Sequence, residues 1–245
     1  MKIFGDEIRA LIAAAYPANE FRVRDMNITL RLYGWDGGGS CSLQQVGDEF
    51  GLTRERVRQV SKAFASELVP LANKHLTTVQ HLVSEITRLA PASANRIESL
   101  LQDQGLGPDR LEGVLKAASF FYQGHKEIRV VHEGDARLVI LPSMEGLSLK
   151  INAHAQKACT HMGVVHIESL LYLVPDLTPE QGLSFIRDVL TERTDSVWLD
   201  ADQTWAWLKK APRNRLITCL HKMLSVFSST TVESVIAGTN RYFRK

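Results

Sequence analysis

Between residues 53 and 62 the chain carries Thr53, Arg54, Glu55, Arg58, Gln59 and Lys62 around an apolar series of Val57, Val60 and Phe64. The apolar residues recur at three- and four-residue spacing, which turns them inward on a helix and leaves Arg54, Glu55, Arg58, Gln59 and Lys62 outward. Arginine can make a two-pronged hydrogen bond to the edge of guanine and glutamine to that of adenine, while glutamate accepts from cytosine. Such a face suits the major groove of a duplex. A charged face that is merely solvated has the same composition, so periodicity alone does not separate the two.

The residues just upstream must position that helix. Ser42 caps a first helix, with Gln45 reaching back to the cap, and Leu43, Val46 and Phe50 share one face. Gly51 ends it in the left-handed conformation that glycine adopts without strain, and Thr53 caps the next helix. Residues 42 to 68 therefore read as a helix-turn-helix.

Thr53-Arg-Glu-Arg-Val-Arg-Gln-Val60, preceded by Leu43-Gln-Gln-Val-Gly-Asp-Glu-Phe-Gly-Leu52, resembles region 4 of bacterial RNA polymerase sigma factors, the domain that reads the −35 promoter element. The likeness runs from Leu32-Tyr33-Gly34 to residue 68. It implies base-facing positions for Arg54, Glu55, Arg58 and Gln59 and a backbone-facing one for Lys62. The family usually continues this helix with basic residues, whereas here Ala63-Phe-Ala-Ser-Glu-Leu68 follows. Nothing resembles the sigma regions that bind the polymerase clamp or melt promoters, so a complete sigma factor is not expected.

A chain of 245 residues with 44% hydrophobic content can build two or three small domains. No run of 18 apolar residues occurs and the start lacks the order of a secretion signal, which points to a cytoplasmic protein without a membrane partner. Cys41, Cys159 and Cys219 are odd in number and far apart, as reduced thiols would be. The net charge of +2 hides an asymmetry: residues 1 to 70 are neutral, 71 to 204 carry −5 and 205 to 245 carry +7. A basic end of that kind is a footprint for a polyanion. Candidate phosphate contacts are Arg31, Arg56, Lys209, Lys210, Arg213 and Arg215.

Helices are expected at 5 to 15 and about 22 to 33, joined to the helix-turn-helix by a glycine-rich connector at 35 to 40. No Lys-Ser/Thr follows those glycines, so a phosphate loop is not indicated. After Pro70 a unit of three helices and a β-hairpin occurs twice. The first copy has helices at 78 to 89, 93 to 104 and 108 to 123, and strands at 127 to 132 and 136 to 141. Thr77 with Gln80 forms its capping box and Pro108 is its first-turn proline. The second has helices at 151 to 162, 165 to 173 and 178 to 192, and strands at 196 to 200 and 203 to 208, with Thr178, Pro179 and Gln181 as a helix start. A third copy opens with helices from 213 and from 230. The expected fold is mainly α, an N-terminal helix-turn-helix followed by tandem winged-helix repeats with small β-hairpins. The expected divisions are 1–72 (sigma region 4-like), 73–146 and 147–210 (winged-helix-like), and 211–245, either the start of a third repeat or docking helices. With Trp205-Ala-Trp-Leu208 and Arg213-Asn-Arg-Leu216, this order is similar to bacterial proteins described as sigma-factor-like DNA-binding proteins.

His154, Cys159, His161 and His166 are the densest set of possible metal ligands, but their angles on a helical wheel diverge, so no metal is expected. Trp198, Trp205 and Trp207 suit either stacking on single-stranded nucleic acid or packing on the repeat's helices, and the second is expected for Trp205 and Trp207, which share a strand face. The hairpin tips, Glu133-Gly-Asp135 and Asp200-Ala-Asp202, are acidic and should be repelled by phosphate. No nucleophile elbow, His-Glu-x-x-His pair or phosphate loop occurs, so neither catalysis nor a cofactor is expected. The expected function is sequence-preferring binding of double-stranded DNA, as in a transcription regulator. The alternatives are a module that docks on RNA polymerase or a partner enzyme, and the DNA-targeting front part of a longer protein.

Overall fold

The computed structural model describes residues 3–16, 23–36, 39–106, 110–122, 128–211 and 214–242. These are mainly helical with two small antiparallel sheets. They divide into two compact units, Met1–Val131 with Arg137–Met144, and His132–Ala136 with Glu145–Lys245.

The first unit begins with α1 (Ile3–Ala15), α2 (Val23–Tyr33), α3 (Leu43–Phe50) and α4 (Arg54–His75). It continues with α5 (Thr77–Leu89), β1 (Ala92–Ser93), α6 (Ala94–Asp103), α7 (Leu111–Phe121), and most of β2 (Arg129–Glu133) and β3 (Ala136–Ile140), whose connecting turn His132–Ala136 counts with the second unit. Phe4 and Leu11 of α1, Phe64, Leu68 and Ala72 of α4, Leu82 and Ile86 of α5, and Val114 of α7 lie in one buried cluster. Burying each large apolar side chain is worth about 1.5–3 kcal/mol, so the segments expected to part at residue 72 are held by a common core.

Two local expectations change here. Helix α4 does not stop near residue 68 but runs through Pro70 to His75. An interior proline costs a helical hydrogen bond, yet Leu68, Ala72 and Leu76 stay fully buried around it while Val69 and Pro70 face out. Thr77 does not cap α5 either; the preceding Leu76 is its cap position. The orphan N–H of Thr78 is taken by the Glu7 carboxylate of α1 at 3.0 Å, and Thr77 Oγ1 donates to the same group at 3.1 Å. A carboxylate is well placed there because the helix N-terminus is electropositive. Pro108 lies outside the described residues.

The second unit holds α8 (Leu147–Met162), β4 (Val165–His166), a 3₁₀ helix at Ile167–Leu173, α9 (Pro179–Thr191), β5 (Ser196–Trp198) and β6 (Trp205–Leu208). Thr178 and Gln181 exchange both capping-box hydrogen bonds, with Pro179 in the first turn. Residues 165 to 173 are not an α-helix: Val165 pairs with Ala206 as a strand, and the tighter 3₁₀ winding follows. The two sheets share one order, β1-β3-β2 and β4-β6-β5. Each therefore contains a short strand that hairpin signals alone did not reveal.

Trp205 and Trp207 do share a face, but the opposite one from that expected. Ala206 and Leu208 are fully buried, while Trp205 is 43% exposed with His166 against its ring at 4.5 Å, and Trp207 is part-exposed. The alternation of β6 sends its smaller residues into the core.

Helices α10 (Arg215–Leu224) and α11 (Val232–Tyr242) follow. Asn214 caps α10 and donates to the Gly163 carbonyl at 2.9 Å, where the missing side chain of Gly163 admits Leu216. Helix α10 thus docks at the end of α8, and α11 rests on α10 with Gly238 against Met223. Among the described residues no helix is long and apolar enough to cross a membrane.

Candidate nucleic-acid interface

Helices α3 and α4 are joined by a turn whose chemistry is local. Ser42 Oγ accepts from the Gln45 N–H at 3.2 Å, and Gln45 Oε1 accepts from the Ser42 N–H at 2.8 Å. Gly51 has φ of 65°, the left-handed value expected of a glycine cap. Thr53 Oγ1 accepts from the Arg56 N–H at 3.2 Å and starts α4. Arg24 of α2 donates to the Phe50 carbonyl at 2.7 Å, satisfying a carbonyl at the end of α3. Beneath the turn Ile28, Leu32, Val46, Val57 and Val60 form a separate apolar cluster.

Gly47 is a structural requirement that the sequence pattern left unremarked. A β-carbon there would lie 2.6 Å from the Leu52 carbonyl oxygen. The Leu52 N–H donates to the Gly47 carbonyl at 2.8 Å, so backbone meets backbone at this point. Gly47→Ala is expected to lower the stability of the first unit by about 1–3 kcal/mol, read by denaturant unfolding. An unchanged midpoint would contradict the close approach.

The α4 surface matches the sequence expectation in placement. Thr53, Arg54, Glu55, Arg56, Arg58, Gln59 and Lys62 are all exposed, and Val57, Val60 and Phe64 are buried. Glu55, Arg58, Gln59 and Lys62 follow one stripe, at i, i+3, i+4 and i+7. Three of these side chains are tied together. Arg58 donates from Nε at 2.8 Å and from Nη2 at 2.6 Å to Glu55, which also accepts from Gln59 Nε2 at 3.1 Å. The hydrogen bonds from Arg58 hold the Glu55 carboxyl down at about 2. It therefore remains an anion at every pH used for nucleic-acid binding.

The arrangement combines an ordered polar triplet with loose cations. The side chains of Arg54, Arg56 and Lys62 have no hydrogen-bond or ion-pair partner among the described residues and are available to phosphate. Arg31 is differently placed: its Nε lies 3.3 Å from Glu49 and its Nη1 3.7 Å from Asp36. A phosphate contact by Arg31 would have to compete with both acids. Lys209, Lys210 and Arg215 belong to the second unit, and Arg213 lies outside the described residues.

The acidic hairpin tips have internal tasks. Glu133 accepts from the Gly146 N–H at 2.6 Å and from the Ser148 hydroxyl, supplying the start of α8 with a carboxylate. Asp200 accepts from the N–H groups of Thr204 and Trp205 and from the Thr204 hydroxyl, closing its own turn. Among the described residues no group of three or more His, Cys, Asp or Glu is placed to hold a metal ion, and Cys159 is buried with its thiol toward the Ala206 carbonyl. Compared with family models, curated proteins and solved structures, the chain matches none.

Proposed function

We propose that this chain is a sequence-preferring double-stranded DNA-binding protein of the transcription-regulator class, without catalytic activity, in which α4 enters the major groove. The observation that carries the reading is the exposed Glu55–Arg58–Gln59 triplet on the helix after a tight turn, flanked by the unpaired Arg54, Arg56 and Lys62. Those groups supply base-edge donors and acceptors together with phosphate contacts. The resemblance of 32 to 68 to sigma region 4 supports the same assignment, and a promoter-like element is the sequence class that follows from it.

In this reading the two repeated units are winged helices that bind protein or set spacing. The third helix of each unit, the usual reading helix of such folds, is poor in cations. Helix α7 buries most of its surface and carries only Lys116, and Arg187 of α9 donates to the carbonyls of Asp202 and Gln203. That observation also favours a second reading, in which the chain docks on RNA polymerase or a partner enzyme and DNA affinity is incidental.

Arg58→Ala separates them. Loss of a bidentate base contact costs about 1–3 kcal/mol at one position, so the sequence preference recovered from a random duplex pool should relax at one base pair while other positions persist. An identical preference in wild type and variant would count against the DNA-reading assignment.

A further inference from the structure

The outer face of the sheet in the second unit is apolar and open to solvent. Its register sets Trp205 opposite His166 of β4 and Trp207 opposite Val197 of β5, and the Leu199 N–H donates to the Trp205 carbonyl at 2.9 Å. Opposed residues share a face, so these five side chains stand on the side away from the buried Ala206 and Leu208. Leu199 and Trp205 are exposed, and His166, Val197 and Trp207 are part-exposed. Trp198 lies opposite Ala206 and turns the other way, with its Nε1 donating to Thr191 Oγ1 at 3.2 Å.

Two features limit what can lie on this face. Trp205 and Trp207 are two apart on one strand, hence about 6.5–7 Å from each other, and an indole offers its flat side to any unpaired base. In a duplex those base faces are hidden against one another. The second feature is charge. Lys209 and Lys210 follow Trp207 at the end of β6; both are exposed, and their side chains have no hydrogen-bond or ion-pair partner among the described residues. Residues 205 to 245 as a whole carry +7, with Glu233 their only acid. The acids near the face lie away from that end: Asp200 is taken up by the turn, Asp202 is at the tip, and Glu168 stands 3.9 Å from His166. The face therefore grades from an acidic turn to a cationic strand end.

We propose that this face binds single-stranded DNA. Bases stack on Trp205 and Trp207, and the flanking phosphates meet Lys209 and Lys210. A 2′-hydroxyl would find no hydrogen-bonding group on Val197, Leu199 or the two indole faces, so the surface has no means of preferring RNA. The contact is made by the sheet and not by the third helix of the repeat. It goes beyond duplex reading and involves none of the α4 residues.

The test is titration of the full chain with a mixed-sequence single-stranded DNA of about 16 nucleotides, read by tryptophan quenching and by anisotropy of the end-labelled strand. The same sequence as RNA, and inorganic polyphosphate as a polyanion without bases, serve as comparisons. Saturable quenching by the single-stranded DNA is expected. Trp205→Ala and Trp207→Ala should each weaken binding about fivefold or more, with Trp205→Phe recovering part of the loss. Lys209→Ala with Lys210→Ala should lower the slope of log affinity against log salt by up to about 1.4. Arg54→Ala, Arg56→Ala and Lys62→Ala combined should leave single-strand binding unchanged, which separates this result from the α4 reading. Circular dichroism checks the fold of each variant, and the more exposed Trp205 decides if Trp207→Ala does not fold. Absence of quenching would overturn the proposal and leave the face to a protein partner. Undiminished binding by folded Trp205→Ala, tighter binding of the RNA, or equal quenching by polyphosphate would overturn it as well.

Discussion

Arg137→Ala is expected to destabilise the first unit by about 3–5 kcal/mol, the cost typical of breaking a buried ion pair from one side. Arg137 sits on β3, where all five residues are buried, and its guanidinium is shared by two helices. It donates to Glu98 of α6 at 2.5 and 2.9 Å, to Glu112 of α7 at 2.6 and 2.7 Å, and to Asn95 Oδ1 at 3.0 Å. Glu98 also accepts from the Leu111 N–H at 2.9 Å, so the same carboxylate starts α7. Removing the guanidinium leaves the Glu98 carboxylate buried without its ion-pair partner, though still taking the Leu111 N–H. A concerted change of Arg137→Met, Glu98→Leu and Glu112→Leu should be far milder, since an apolar replacement of a whole buried network removes the desolvation penalty with the pairing.

The pH dependence follows from the same contacts. Burial pushes the Glu112 carboxyl up, but hydrogen bonds and charge from Arg137 outweigh that and hold it below the usual range. A depressed folded value contributes stability that is present above the unfolded value, about 4.3, and is lost as the pH falls through the folded one. Urea unfolding from neutral to acid pH should show that loss in wild type and a flatter acid limb in Arg137→Ala. Equal acid limbs would detach Glu112 from Arg137.

The second large effect is expected for Arg54→Ala, Arg56→Ala and Lys62→Ala combined. All three cations are exposed and lie outside the Glu55 triplet, so their removal should leave the fold intact and act on affinity. Each phosphate contact contributes about 0.9 to the slope of log affinity against log salt, so the slope should fall by up to about 2.7. Affinity should drop steeply at low salt and for every sequence alike. Filter binding across a salt series, with circular dichroism as the check on folding, reads both quantities; an unchanged slope would show that these side chains do not meet phosphate.

The polar face of α4 was legible because its rules are local. Ser42 with Gln45, Gly51 and Thr53 are caps within a few residues of what they cap, and the inward series Val57, Val60 and Phe64 is set by helical period alone. What sequence could not supply was contact across long separations. Glu7 takes the Thr78 N–H and Glu133 takes the Gly146 N–H, and neither carboxylate lies near its partner in sequence. The same limit applied to the short strands β1 and β4, which exist only through pairing with β3 and β6. Trp205 and Trp207 were turned the wrong way because size suggested burial, whereas the strand's alternation is decided by Ala206 and Leu208. Within the candidate site, the lock of Glu55 on Arg58 and Gln59 has the i, i+3 and i+4 spacing of a helix surface, so its signal was present in the sequence.

The central claim is that α4 reads duplex DNA. Selection of the full chain against a random duplex pool over a series of salt concentrations, with sequencing of the bound fraction, tests it most directly. The account predicts one enriched element that persists as salt rises while the unselected background dissociates. An absence of binding at low salt, or binding that enriches no sequence, would contradict it.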